Sequence, residues 1–405
     1  MAYRGIIPGI HPLKELAQSR VMEIAPGIWN VEGYFGQNFL FRPPSSNCFV
    51  LHDRDLALLV DTGTYPFYRK PMLDLLARLR KSGARRLRLM LTQGHFDHVA
   101  NNDLILEAGY DDVEFLLPEE EVTTLDLFSH WTGELDELGR YYNPFRAMPL
   151  AFPTALPNLA SRISPKLARS MMHRNLRALF AGVNTMAGRA KILTAKTKVT
   201  KTFGQATLSG WEVGRFFAVH DATHSPGHLS FYDPEHKVFL TGDATLEINP
   251  AFFNSSVENC ILMMDRFQKM AQAGAVLLAT DSHRSSIWTQ RLMDSTGEGP
   301  VHPFQVVDQV EGAENCAEFY RFFGEYYTAC RDAVLSALSR LGEATVFDLM
   351  EEFRADKNPC VHLKSLLGLP AIPSRLDVLV AKVLAEGKAA RREENGRILF
   401  SPAES

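Results

Sequence analysis

The sequence predicts a mixed α/β protein carrying a helical insertion and a small C-terminal helical module. Three observations predict it. Short apolar strands alternate with amphipathic helices up to residue 117, strands return from about residue 203, and polar residues recur at successive strand ends.

The first segment, Glu23–Glu32, has a turn at Pro26–Gly27 followed by strand-like alternation. Asn47–Leu51 and Ala57–Val60 read as paired strands about a polar turn at Asp53–Asp55. The second of these ends in Asp61-Thr-Gly63, where glycine permits a sharp exit. Residues 67–82 place Met72, Leu75, Leu76 and Leu79 at helical spacing. Leu87–Leu91 is a buried strand, His98–Ala108 a helix and Glu114–Leu117 another strand.

Regular alternation stops near Pro118 and resumes near Phe203. The stretch between, residues 118–203, reads as a helical cap. From Arg162 to Lys201 it holds ten basic residues and no acidic one. Such a field over a site attracts anions. Strands follow at Gln205–Leu208, Glu212–His220, Leu229–Tyr232, Lys237–Thr241 and Val276–Ala279, with helices at 257–273 and Ser286–Asp294. Residues 1–312 therefore read as one catalytic domain. Residues 313–405 read as a helical linker (Ala313–Leu341) and a winged-helix-like domain, with helices Ala344–Phe353 and Pro373–Glu386 and a hairpin turning at Asn395–Gly396.

Composition narrows the classes. The 405 residues are 46% hydrophobic and 22% charged, with a net charge of −4, and fit a soluble globular protein. Arg331–Ser405 holds eleven basic and eleven acidic residues, so the winged-helix-like part lacks the basic footprint of a nucleic-acid binder. Packing or homodimerisation is the expected role there. The five cysteines have no CxxC spacing, and a reducing, cytoplasmic location is expected. No apolar run is long enough to span a membrane.

The chemistry concentrates in Thr92-Gln-Gly-His-Phe-Asp-His98, where His95, Asp97 and His98 offer imidazole and carboxylate donors suited to zinc, iron or manganese. Further site material lies at Asp61, His228 on a Pro–Gly turn, Asp243 after Gly242, and His283. His224 reads as structural, and Asp61 as the orienter of a ligand histidine. His130 and the insertion's aromatic groups, Phe128, Trp131, Tyr141, Tyr142, Phe145 and Phe152, read as packing, with a pocket lining as the alternative.

Asp61-Thr-Gly63, the Thr92–His98 block, Pro-Gly-His228, Gly-Asp243 and His283, in this order along the chain, resemble the metallo-β-lactamase-fold hydrolase superfamily across residues 21–295, insertion excluded. Asp243 and the segment His224-Ser-Pro-Gly-His228-Leu-Ser230 look most like the glyoxalase II and acyl-homoserine-lactone lactonase branches. The resemblance implies an αββα sandwich binding two divalent metal ions, zinc foremost. His95 and His228 would hold the first, Asp97, His98 and His283 the second, and Asp243 would bridge them. One position departs: Gln93 stands where the family has histidine, so that Gln93 ligates, yields to water, or leaves only the second site filled. The function implied is hydrolysis by metal-bound hydroxide, with Asp97 and Asp243 holding the nucleophile. The substrate expected is a small-molecule or carrier-bound acyl ester, lactone or thioester, anionic or lipophilic. Alternatives are a di-iron redox protein, a phosphodiesterase or nuclease, and a non-catalytic binder with a decayed first metal site.

Overall fold

The computed structural model describes residues 3–4, 21–33, 45–138, 155–246, 249, 255–281, 309–345, 348–349, 351–352, 389–394 and 397–403. His283, Arg284, Tyr141, Tyr142, Phe145, Phe152 and the expected helices Ser286–Asp294 and Pro373–Glu386 lie outside these residues.

Strand β5 (Leu56–Val60) shows how the layers arise. Leu56, Leu58 and Val60 enter one apolar cluster, while Ala57 and Leu59 enter another. Successive side chains of a strand point to opposite faces, so a strand apolar at every position must be covered on both. One face meets the helix Arg69–Lys81, through Met72, Leu75, Leu76 and Leu79. The other meets a second sheet, with Phe231, Leu229 and Leu240 among its contributors.

The first sheet has seven strands in sequence order: β2 (Val21–Ala25), β3 (Ile28–Val31), β4 (Cys48–Asp53), β5, β6 (Arg86–Met90), β7 (Asp112–Pro118) and β8 (Ala190–Leu193). Strands β5 to β8 pair in parallel. The second sheet places β1 (Tyr3–Arg4) beside β15 (Gln309–Glu311), then β14 (Leu278–Thr280), β13 (Val238–Leu240), β12 (Leu229–Asp233), β11 (Phe216–His220), β10 (Ala206–Val213) and β9 (Val199–Phe203). Its outer face is covered by the helices Val257–Gln272 and Ala313–Leu341. Helix, sheet, sheet, helix is the expected sandwich.

Three local differences from the sequence reading have physical causes. The stretch 118–203 is not wholly helical, because β8 and β9 form the edges of the two sheets. Both are short, partly exposed and basic, as edge strands tend to be, and so lack a clear alternation. The expected helix His98–Ala108 is a turn of α-helix, Phe96–Val99, followed by a 3₁₀ turn, Asn102–Leu106. Strands β10 and β11 are separated at Gly214, whose φ of 64° makes a tight reversal. At the C-terminus, Ala389–Glu394 and Arg397–Pro402 form the expected antiparallel hairpin, and Ala344 bridges to Phe400.

Phe267 joins the second sheet to its helices, with its ring 4.6 Å from that of Phe239 and 5.5 Å from that of Tyr320. It is fully buried. Phe267→Ala is expected to cost about 3–5 kcal/mol of stability, read as a shifted urea midpoint.

Candidate metal centre

The expected site residues gather where strands of both sheets end. Asp61 follows β5, Thr92–His98 follows β6, His228 precedes β12 and Asp243 follows β13, and they are joined there by Glu121, which follows β7. Leu229 N donates to Thr92 O at 2.8 Å, tying the two sheets together at this edge.

A carboxylate orients His98. Asp61 adopts a left-handed backbone, φ 61°, and Thr92 donates to it from both N (2.8 Å) and Oγ1 (2.7 Å). Its Oδ2 accepts the Nδ1–H of His98 at 2.9 Å, which leaves the ring's lone pair on Nε2, facing the site. The charges of Asp243, Asp61 and Asp97 outweigh burial and hold this imidazole well above its ordinary basicity.

His224 is oriented by an amide. Its Nδ1 donates to Asn249 Oδ1, which directs Nε2 to within 3.1 Å of His95 Nδ1 and 3.6 Å of Asp243 Oδ2. Asn249 in turn donates to Asp243 O at 2.6 Å, and Tyr327, buried on the helix Ala313–Leu341, lies 3.1 Å from its Nδ2. Burial lowers the pKa of His95 well below the usual value and takes that of His224 down to about 4, so both rings present neutral lone pairs at pH 7.

His228 is engaged at both nitrogens. Its Nδ1 donates to Asp221 Oδ1 at 2.7 Å, and its Nε2 accepts the backbone N–H of Asp243 at 3.0 Å. Asp221 also accepts from Thr223 and Ser230. Gly242, at φ 55°, is required here, since a Cβ on it would lie 2.7 Å from His228 Nε2.

Glu121 is a fully buried carboxylate that ties the two ligand-bearing loops together. One oxygen accepts from Gly94 N at 2.8 Å and Thr124 Oγ1 at 2.6 Å. The other accepts from Ser225 Oγ and from Gly227 N at 3.1 Å. A Cβ at position 94 would meet Thr124 Oγ1 at 1.8 Å, so only glycine lets the loop approach this clamp.

Among the described residues, the group able to converge on one ion is therefore His95, His224 and Asp243, whose donor atoms all lie within 4.8 Å of one another. Zinc–ligand bonds of about 2.0–2.1 Å at the tetrahedral angle would separate two ligand atoms by about 3.3 Å. The 3.1 and 3.6 Å separations about His224 bracket that value. His228, expected beside His95, accepts the backbone N–H of Asp243 at Nε2. Asp97 is partly exposed, its Oδ2 3.8 Å from His98 Nε2, and His283 lies outside the described residues. Gln93 donates from Nε2 to Asp243 Oδ2, and that nitrogen lies 2.8 Å from His98 Nε2.

Sequence reasoning missed Asp221, Glu121, Asn249 and Tyr327. Asp221 carried a usable signal, since it ends a strand as Asp61 does. Glu121 is hidden in the run Glu119–Glu121, and nothing local distinguishes Asn249 or Tyr327.

The model of the metallo-beta-lactamase superfamily matches residues 41–292. The chain belongs to that superfamily. Among solved structures it is similar to a beta-lactamase domain protein from Burkholderia ambifaria, at 16% identity and TM-score 0.52 with 95% of each chain covered. It is likewise similar to a metallo-beta-lactamase family protein from Thermus thermophilus, at 16% identity and TM-score 0.51, covering 94% of this chain and 100% of that one. The inverting sec-alkylsulfatase Pisa1 from Pseudomonas sp. aligns at 14% identity and TM-score 0.50, covering 89% of this chain and 50% of the sulfatase. No curated protein matches the chain. At these identities the structural likenesses speak to fold. Superfamily members are metal-dependent hydrolases, and the His95, His224 and Asp243 group supplies this chain with donors for a divalent ion.

Glu121→Gln keeps the size of the side chain but sets an amide N–H₂ against donors on one of the two loops. It is expected to cost about 1–3 kcal/mol of stability in urea denaturation, as for a buried donor left without its acceptor.

Proposed function

We propose that the chain is a hydrolase dependent on a divalent ion held by His95, His224 and Asp243, acting on an ester, thioester or lactone. The observation that carries this reading is the convergence of two neutral imidazoles and a carboxylate whose donor atoms lie within 4.8 Å of one another, with His224 held from behind by Asn249 and the Asp243 backbone held by His228. When bound, such an ion acidifies water toward neutrality and polarises the bond under attack. The chain's own residues do the rest. Asn249 and His228 fix His224 and Asp243, and Asp97, partly exposed near His98, is placed to exchange a proton with solvent.

An apolar or anionic acyl substrate, small or carrier-bound, fits the cap on this reading. The helix Leu127–Leu138 sets Trp131 and His130 against His95, with ring centroids 5.9 and 6.2 Å away. Behind it, Leu135, Ala160, Ala168, Met172 and Leu176 form a separate apolar cluster. The basic tract is less of an open field than its sequence suggests. Arg169, Lys191, Lys198 and Lys201 pair with Asp136, Glu114, Glu120 and Glu212, while Arg162 and Lys166, beside exposed Ile163, belong to its outward part. Residues 313–405 serve packing or homodimerisation in this account, consistent with the long helix covering the second sheet.

Zinc is the ion expected, with iron or manganese as competitors. His224→Ala is expected to abolish zinc retention and to lower hydrolysis of an acyl thioester panel by at least about 100-fold. His228→Ala should retain zinc with affinity weakened by about 10–100-fold, as for a partner that orients a ligand. Chelator-competition titration measures both. Unchanged zinc binding in His224→Ala would sink the reading.

A further inference from the structure

The contacts of Gln93 point to a centre that holds one ion, and we infer that the Gln93 amide stands in for a second. This rests on the reading of His95, His224 and Asp243 as ligands of the first ion.

A neutral imidazole offers one N–H and one lone pair. The N–H of His98 is committed at Nδ1 to Asp61 Oδ2, 2.9 Å away, so all the acceptor capacity of the ring lies at Nε2. Gln93 Nε2 approaches that atom to 2.8 Å. An amide nitrogen has hydrogens to give and no lone pair to receive one, so in the neutral form that an ion would need His98 is the acceptor here, and a proton on Nε2, 3.2 Å from Asp243 Oδ2, would close that atom to an ion equally. The second amide hydrogen goes to Asp243 Oδ2. Turning the amide over would set Oε1 against the carboxylate, two acceptors with no proton between them, so the chemistry of the neighbours fixes its orientation.

The consequence is specific to His98. A carboxylate oxygen can serve a hydrogen bond and an ion together, but the single in-plane lone pair of an imidazole cannot. While Gln93 donates to Nε2, His98 is withdrawn from metal binding, and with it the imidazole expected to anchor the second ion. The –NH₂ group meets the same two acceptors that the second ion would have bridged, with a partial positive charge and little desolvation cost. Asp97, also expected there, stands 3.8 Å from His98 Nε2 and is partly exposed. Gln93 Oε1 is buried and accepts no hydrogen bond from the described residues, which leaves it as a neutral oxygen donor for the first ion. Glutamine in place of histidine thus removes an imidazole from the first site and closes the second.

The test is metal stoichiometry on the full chain. Apo protein loaded with excess Mn(II) and desalted is analysed for manganese per chain and by electron paramagnetic resonance. The wild type is expected to retain about one ion with the signal of an isolated Mn(II). Gln93→His and Gln93→Met, neither able to donate two hydrogens there, should retain about two, with an exchange-coupled signal. Two coupled ions in the wild type, or both variants remaining at one, would overturn the inference while leaving the proposed hydrolase intact. A wild type that retains no ion overturns the hydrolase reading and the inference with it. If a variant does not fold by circular dichroism, the wild-type count and signal still decide.

Discussion

Each neutral imidazole at this centre has one lone pair to give, and for His98, His224 and His228 the group behind the ring decides where it points. Asp61 turns the lone pair of His98 toward Gln93, Asn249 turns that of His224 toward His95 and Asp243, and Asp221 turns that of His228 onto the Asp243 backbone. The three histidines are similarly buried. What separates their roles is the hydrogen bond on the far nitrogen and the donor, if any, that meets the near one. Asp61 and Asp221 come from strand ends in the two sheets, and Asn249 is held by its contacts with the Asp243 backbone and Tyr327.

This dependence explains why the outer layers matter to the chemistry. Asn249 is braced by Tyr327, from a helix that belongs to the covering layer of the second sheet. Glu121 joins the Gly94 loop of one sheet to the Ser225–Gly227 loop of the other through three donors, Gly94 N, Ser225 Oγ and Gly227 N. Packing far from the site therefore reaches the ligands through two or three short hydrogen bonds, which is how a close-packed interior transmits position.

Much of the fold was legible in the sequence, because strands such as Leu56–Val60, buried on both faces, read as apolar runs, and polar residues such as Asp61 and Asp243 follow their ends. The location of the site followed from those ends. Assigning ligands was harder. His224 and His228 sit four residues apart on one Pro–Gly turn, and which ring is turned toward His95 and Asp243 Oδ2 is decided by Asn249 and Asp221, not by the turn. Asp221 was readable as a strand-end carboxylate of the Asp61 type, whereas Asn249 and Tyr327 reach the site only through tertiary packing. The strands β8 and β9 were missed because edge strands with one polar face resemble loops. Gln93 was visible as a departure from the family pattern, but the sequence could not say that its amide would be shared between His98 and Asp243.

Which histidines receive an ion is measured most directly by anomalous scattering from a crystal of the zinc-loaded protein. One peak is predicted within about 2.0–2.2 Å of a nitrogen of His95, a nitrogen of His224 and a carboxylate oxygen of Asp243. A peak coordinated by His228, or one on His98 Nε2 with Gln93 displaced, would contradict it.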